Sequence, residues 1–131
     1  MPDQRKACLL DTSAWIEYFK GTPEGNRVAA LLRSGSPAYT CPLTITEVAV
    51  WCYRNHRDPS PFLEKIRSFS LLLDLAVSLL SEAARVYTEQ RLRQPKIGII
   101  DCIIYASALL HGLTLLTKDQ DFAGLASVSL L

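Results

Sequence analysis

Short apolar runs alternate along this chain with longer stretches whose apolar residues recur at three- and four-residue spacing. Ala7–Leu10 reads as a short buried strand ending at Asp11. Trp15, Tyr18 and Phe19 then fall at helical spacing from Ser13 to Phe19, and Gly21-Thr22-Pro23 breaks the pattern. A second helix is predicted from Glu24 to Arg33, with Val28, Leu31 and Leu32 inward and Gly35 closing it. Ala38–Cys41 reads as a strand ended by Pro42. Leu43–Asn55 is helical again, with Ile45, Val48, Ala49 and Cys52 on one face.

Asp58-Pro59 opens a segment with a helix from Pro61 to Phe69, and Leu71–Leu75 is a candidate buried strand. Ser81 is placed to cap a helix running to about Arg93, followed by the loop Gln94-Pro95-Lys96-Ile97-Gly98. Ile99–Leu110 is an apolar helix closed by His111-Gly112, with Gly112 suited to a left-handed C-terminal position. Leu113–Thr117 is a strand, KDQDF a loop and Val128–Leu131 a final strand. Apolar strands separated by helices imply an α/β fold with a parallel sheet covered on both faces. Its 131 residues suit one domain, residues 1–131, without repeats or linkers.

Composition narrows the classes. A net charge of +1 gives no global field for nucleic acid or membrane, so any basic surface is local. The four cysteines, Cys8, Cys41, Cys52 and Cys102, form no CxxC pair and sit among apolar residues, which argues for small buried hydrophobes over a zinc site. The opening MPDQRKACLLD has too short an apolar run for a secretory leader, and no stretch approaches the ~20 apolar residues of a membrane span. The expectation is a cytoplasmic protein.

The candidate chemistry lies in four acids. In an open parallel sheet, functional groups gather at the carboxyl ends of the strands. Asp11 ends the first strand, and Asp119 follows the strand LTLLT. Glu47 lies near the start of a helix among apolar neighbours, and Asp101 lies in the first turn of the most apolar helix. A carboxylate in such surroundings is costly unless it is paired or binds a cation. Only Asp119 has a basic neighbour, Lys118. Oxygen-only ligation selects hard cations such as Mg²⁺ or Mn²⁺, which assist phosphodiester hydrolysis. The bland alternatives are an N-cap role for Asp11, a helix-dipole role for Asp101 and a solvated surface position for Glu47.

Taken in order, LLDTS, ITEV, DCIIYASAL and LLTKDQDF resemble the motifs of PIN-domain ribonucleases, in particular the VapC-like toxins of toxin–antitoxin pairs. The resemblance covers nearly the whole chain. It implies a three-layer α/β/α fold with a short, mostly parallel sheet. It implies that Asp11, Glu47, Asp101 and Asp119 form the active site, that Asp11, Asp101 and Asp119 hold one or two divalent cations, and that Ser13 lies beside them. It further implies an RNA substrate, a homodimer and a small antitoxin partner. The chain departs from the family in Val50, Trp51 and Cys52, where a small residue or glycine is common after the glutamate.

Thr117 and Ser13 are read as supporting hydroxyls, and Asp121 as a cap of the turn DFAGL with a possible part at the cation site. Arg54, Arg91, Arg93 and Lys96 are candidate RNA-phosphate contacts. Arg57 shares that basic character. Glu17, Glu24, Asp58, Glu64, Glu82 and Glu89 read as solvated. Two rival readings remain: a non-catalytic interaction module acting through partner binding, and an aspartate-nucleophile phosphatase. The second is disfavoured because Ser13 stands where such enzymes usually carry a second aspartate.

Overall fold

A computed structural model of the chain describes residues 7–131; most of the N-terminal run MPDQRKACLLD, on which the leader expectation rests, lies outside them. Five strands form one parallel sheet: β1 (Cys8–Leu10), β2 (Ala38–Thr40), β3 (Leu71–Leu72), β4 (Thr114–Thr117) and β5 (Val128–Leu130). Their spatial order is β3-β2-β1-β4-β5, and every neighbouring pair is parallel. The chain builds outward from β1 to one edge, then returns to β1's other side. The reversal of strand order therefore falls between β1 and β4, where crevices open at the carboxyl ends.

Period-two alternation sends successive side chains to opposite faces. Leu9 and Leu115 pack into one core with Cys102, Ile104 and Phe122. Leu10 and Leu116 pack into the other with Trp15, Val28, Val48 and Ile66. The first core lies under helices α5 (Val77–Gln90) and α6 (Ile99–Leu110). The second lies under α1 (Thr12–Lys20), α2 (Pro23–Arg33), α3 (Pro42–Arg54) and α4 (Ser60–Phe69). This is the expected three-layer α/β/α arrangement. All four cysteines are buried, as their apolar neighbours implied.

The α1–α2 corner is set by glycine. Gly21 ends α1 at φ 69°. Thr22 then caps α2 by accepting the Gly25 amide at 3.0 Å. A side chain at Gly25 is impossible without rearrangement, since its Cβ would fall 2.0 Å from the Glu17 carbonyl oxygen.

Several expectations need correction. The Leu71–Leu75 strand shrinks to two paired residues at the sheet edge, and Leu71 and Leu72 are exposed. Apolar content alone does not reveal that a strand has a neighbour on one side only. Helix α5 begins at Val77, not Ser81, because Leu79, Ala83 and Val86 form one buried stripe that reaches back into the apolar run. It ends at Gln90, before the Arg91–Arg93 turns. The KDQDF loop contains a short 3₁₀ turn, Gln120–Phe122, capped by Asp119 and not by Asp121.

Candidate active site

The strand reversal brings Asp11 and the end of β4 together. The Asp11 amide donates to the Leu116 carbonyl at 3.0 Å, extending the β1–β4 ladder by one step. Asp11 stands at the N-cap position of α1, but its side chain makes no capping bond. Its Oδ2 instead accepts from two hydroxyls, Thr117 Oγ1 at 2.7 Å and Ser13 Oγ at 2.9 Å. Those hydroxyls in turn accept backbone amides: Lys118 N at 2.9 Å on Ser13, and Asp119 N at 2.9 Å on Thr117. Asp11 is thus tied through hydroxyls to the loop that carries Asp119. Burial pushes its carboxyl up, against the pull of both hydroxyls and the Thr12 amide, and the Asp119 charge adds to the rise.

Glu47 enters from α3. The Thr12 hydroxyl donates to its Oε1 at 2.6 Å and also lies 3.1 Å from Thr44 Oγ1. Partial burial raises the Glu47 carboxyl, with the Asp11 charge contributing. Asp101 enters from the first turn of α6, where its Oδ2 accepts the Gly98 amide at 3.1 Å. Burial pushes it up to about 6, helped by the charges of Asp11, Asp119 and Glu47. Asp119 Oδ1 accepts the Asp121 amide at 2.9 Å. Asp121 contributes its backbone there.

The four acids therefore share one electrostatic neighbourhood. Among the described residues, no three of the His, Cys, Asp or Glu side chains converge tightly enough to ligate one ion as they stand. Asp101 and Asp119 are turned onto backbone amides of their own turns. Lys118, next to Asp119 in sequence, is paired elsewhere. Its Nζ bonds Glu17 Oε1 at 2.9 Å. Glu17, expected to be solvated, is in fact buried, with Lys20 Nζ 3.4 Å from its other oxygen and the Thr22 hydroxyl 3.1 Å from Oε1.

A groove of about 490 Å³ opens beside Glu47, lined by Thr12, Ile16, Val50, Trp51, Arg54 and Ile100 among others. Arg54 stands there without an ion pair among the described residues. Arg93 and Lys96 are exposed on the loop before α6. Arg91 is engaged instead: its Nη1 donates to the Ile97 carbonyl at 3.2 Å and its guanidinium lies 5.3 Å from the Tyr87 ring centre. A second groove, about 410 Å³ and lined by Tyr18, Phe19, Arg33, Phe62 and Lys65 among others, contains no acid. Sequence reasoning missed Thr12, although an acid on a helix with no basic partner calls for a hydroxyl donor. It also missed the Gly98 amide and the Glu17–Lys118 pair.

The PIN domain sequence profile matches residues 8–128. The chain belongs to the PIN domain family. Ribonuclease VapC11 of Mycobacterium tuberculosis is 29% identical over 126 residues, which cover 92% of each chain. Among solved structures, a chain of a toxin–antitoxin complex from Klebsiella pneumoniae superposes with a TM-score of 0.74 at 26% identity, covering 93% of this chain and 95% of that one. VapBC2 from Rickettsia felis, solved bound to a DNA fragment from its promoter, shares the fold with a TM-score of 0.75 at 16% identity, covering 95% and 97%. Among the described residues, no helix is long and apolar enough to cross a membrane.

Proposed function

We propose that this protein is a divalent-metal-dependent endoribonuclease, the toxin of a toxin–antitoxin pair, acting in the cytoplasm. The observation that carries the reading is the pooled charge of Asp11, Glu47, Asp101 and Asp119: Asp11, Glu47 and Asp119 each raise a neighbouring acid's affinity for protons, and among the described residues no lysine or arginine is bonded to any of the four. Such a set is stabilised by a cation, and an all-oxygen donor set suits Mg²⁺ or Mn²⁺. Asp11, Asp101 and Asp119 would hold it, with Glu47 alongside. Asp101 would keep the Gly98 amide on Oδ2 and offer its other oxygen, and Asp119 would likewise offer the oxygen not bonded to the Asp121 amide. A divalent cation there supplies charge for a phosphate oxygen and lowers the pKa of water, the two demands of phosphodiester hydrolysis.

The chain's other groups keep this set in order. Ser13 and Thr117 hold Asp11 against rotation, and Thr12 holds Glu47. Arg54 lines the groove with Glu47, Arg93 and Lys96 are exposed on the loop before α6, and all three would be available to RNA phosphates. The names of the similar proteins support a ribonuclease with an antitoxin partner, and a homodimer is part of the same reading.

The test is cleavage of a mixed pool of cellular RNAs by wild type and Asp101→Asn, with Mg²⁺, Mn²⁺ or chelator. Asparagine keeps an acceptor for the Gly98 amide but loses the charge. Wild-type cutting that needs metal, together with a folded and inert variant, is the expected outcome. Equal behaviour of the two proteins, or no cutting under any condition, would leave the non-catalytic interaction module as the better reading.

A further inference from the structure

The loop before α6 contains a connected chain of donors that ends on Asp101. Arg91 Nη1 donates to the carbonyl oxygen of Ile97 at 3.2 Å, and the amide of Gly98 donates to Asp101 Oδ2 at 3.1 Å. The Ile97 carbonyl and the Gly98 amide are the two ends of one planar peptide unit. A cation bonded to the oxygen of a peptide polarises it and makes its N–H a stronger donor, and hydrogen bonds linked in this way reinforce one another.

Each link is held. Ile97 is 1% exposed, so its side chain anchors the peptide in the core. Its amide also donates to Gln94 O at 3.1 Å, which closes the turn. The Arg91 guanidinium rests over the Tyr87 ring on α5, 5.3 Å from its centre. Gly98 leaves room for the approach: a Cβ there would lie only 3.3 Å from Asp101 Oδ2.

We propose that Arg91 is a positioning residue for Asp101, acting through the Ile97–Gly98 peptide, and not an RNA-phosphate contact. The peptide aims one carboxylate oxygen and offsets part of the field of Asp11, Asp119 and Glu47. Asp101 is thereby kept in one orientation, with Oδ2 on the peptide and its second oxygen open to a cation. The inference rests on the proposal that Asp101 is a cation ligand.

The experiment compares wild type, Arg91→Met and Arg91→Lys, without RNA, by two readouts. The first is the Gly98 amide signal in a ¹H–¹⁵N spectrum of the metal-free protein. The second is Mn²⁺ affinity by calorimetry. Methionine keeps the apolar stem against Tyr87 and loses the donors; lysine keeps a charge and a donor without the planar fork. Expected for Arg91→Met are an upfield shift of the Gly98 amide proton, faster exchange of that amide, and Mn²⁺ binding weakened by up to about tenfold. Arg91→Lys should fall between. Backbone signals elsewhere should stay in place, which separates this effect from unfolding. An unmoved Gly98 amide in both variants overturns the inference, and reduced RNA binding in those variants would then return Arg91 to the phosphate contacts. If wild type binds no Mn²⁺, the metal reading fails, while the Gly98 signal still decides whether Arg91 acts on this peptide.

Discussion

Asp11 and Glu17 begin and end the first two turns of the same helix region, and both are 4% exposed. Their environments nevertheless push them in opposite directions. Glu17 meets Lys118 and Lys20, and its carboxyl is held below the usual carboxylate range, chiefly by the Lys118 bond. Asp11 meets hydroxyls and other acids, and burial raises it. Exposure therefore does not separate a carboxylate paired within the fold from one proposed to bind a cation. The separating property is whether the fold supplies a cation. At Glu17 it does. At Asp11, Glu47 and Asp101 it supplies neutral donors, and the charge remains available to a ligand from solution.

Neutralising these acids should break the comparison most clearly in activity. Asp11→Asn is expected to reduce RNA cleavage on the order of 10²–10³-fold, measured as initial rate with saturating Mn²⁺. Glu17→Gln should leave the cation site's Mn²⁺ affinity unchanged. A comparable loss of affinity in Glu17→Gln would erase the distinction between the two acids.

Stability should show the reverse order. Glu17→Gln removes the acceptor of two lysines and should destabilise the protein by about 1–2 kcal/mol, or a melting temperature lower by ~4–8 °C. Asp101→Asn in chelator should instead stabilise the metal-free protein by about 1 kcal/mol, a figure discounted for the partial solvation of this group. Thermal melts of the two variants with opposite signs would sharpen the comparison, and equal signs would refute it.

The pH dependence follows with the same contrast. The folded Asp101 carboxyl sits at about 6 against an ordinary value of 3.8, so the native state binds the proton more tightly than the unfolded chain. Its contribution to stability is present below the ordinary value and is lost as pH rises through about 6. Glu17 has the opposite sign: its contribution is present above the ordinary carboxylate range and is lost as pH falls through its lowered folded value. Melts in chelator from acid to neutral pH should show wild type declining more steeply than Asp101→Asn over the Asp101 window, and added Mn²⁺ should restore stability at neutral pH.

The smallest effect belongs to the exposed ladder on α5, where Arg85 bonds both Glu82 and Glu89. Charges paired in open solvent contribute little. Arg85→Ala should leave melting temperature and cleavage at wild-type values.

Much of this was legible in the chain. Asp11 and Asp119 follow apolar runs, and a strand end followed by an acid is a local pattern. Asp101 opens a helix whose remaining turns are apolar, so its position in the first turn could be read from spacing. Glu17 could not be read. On α1 it looks like any surface acid, and only the return of β4 beside β1 brings Lys118, 101 residues further on, to cover it. The bond from Arg91 to the Ile97 carbonyl was hidden for the same kind of reason, because a basic residue in a polar loop reads as a phosphate contact until the loop's carbonyls have positions.

Local sequence was sufficient for the alternation of strands and helices, the parallel sheet and the buried cysteines, and for singling out the four acids as candidates, since propensity, periodicity and burial cost act over a few neighbouring residues. The strand order β3-β2-β1-β4-β5 required the folded sheet. That order sets Asp11 beside Thr117, leaves β3 as a short exposed edge and gives Glu17 its lysine. Each of these depends on which strands become neighbours, and neighbour choice is decided by packing across the whole domain.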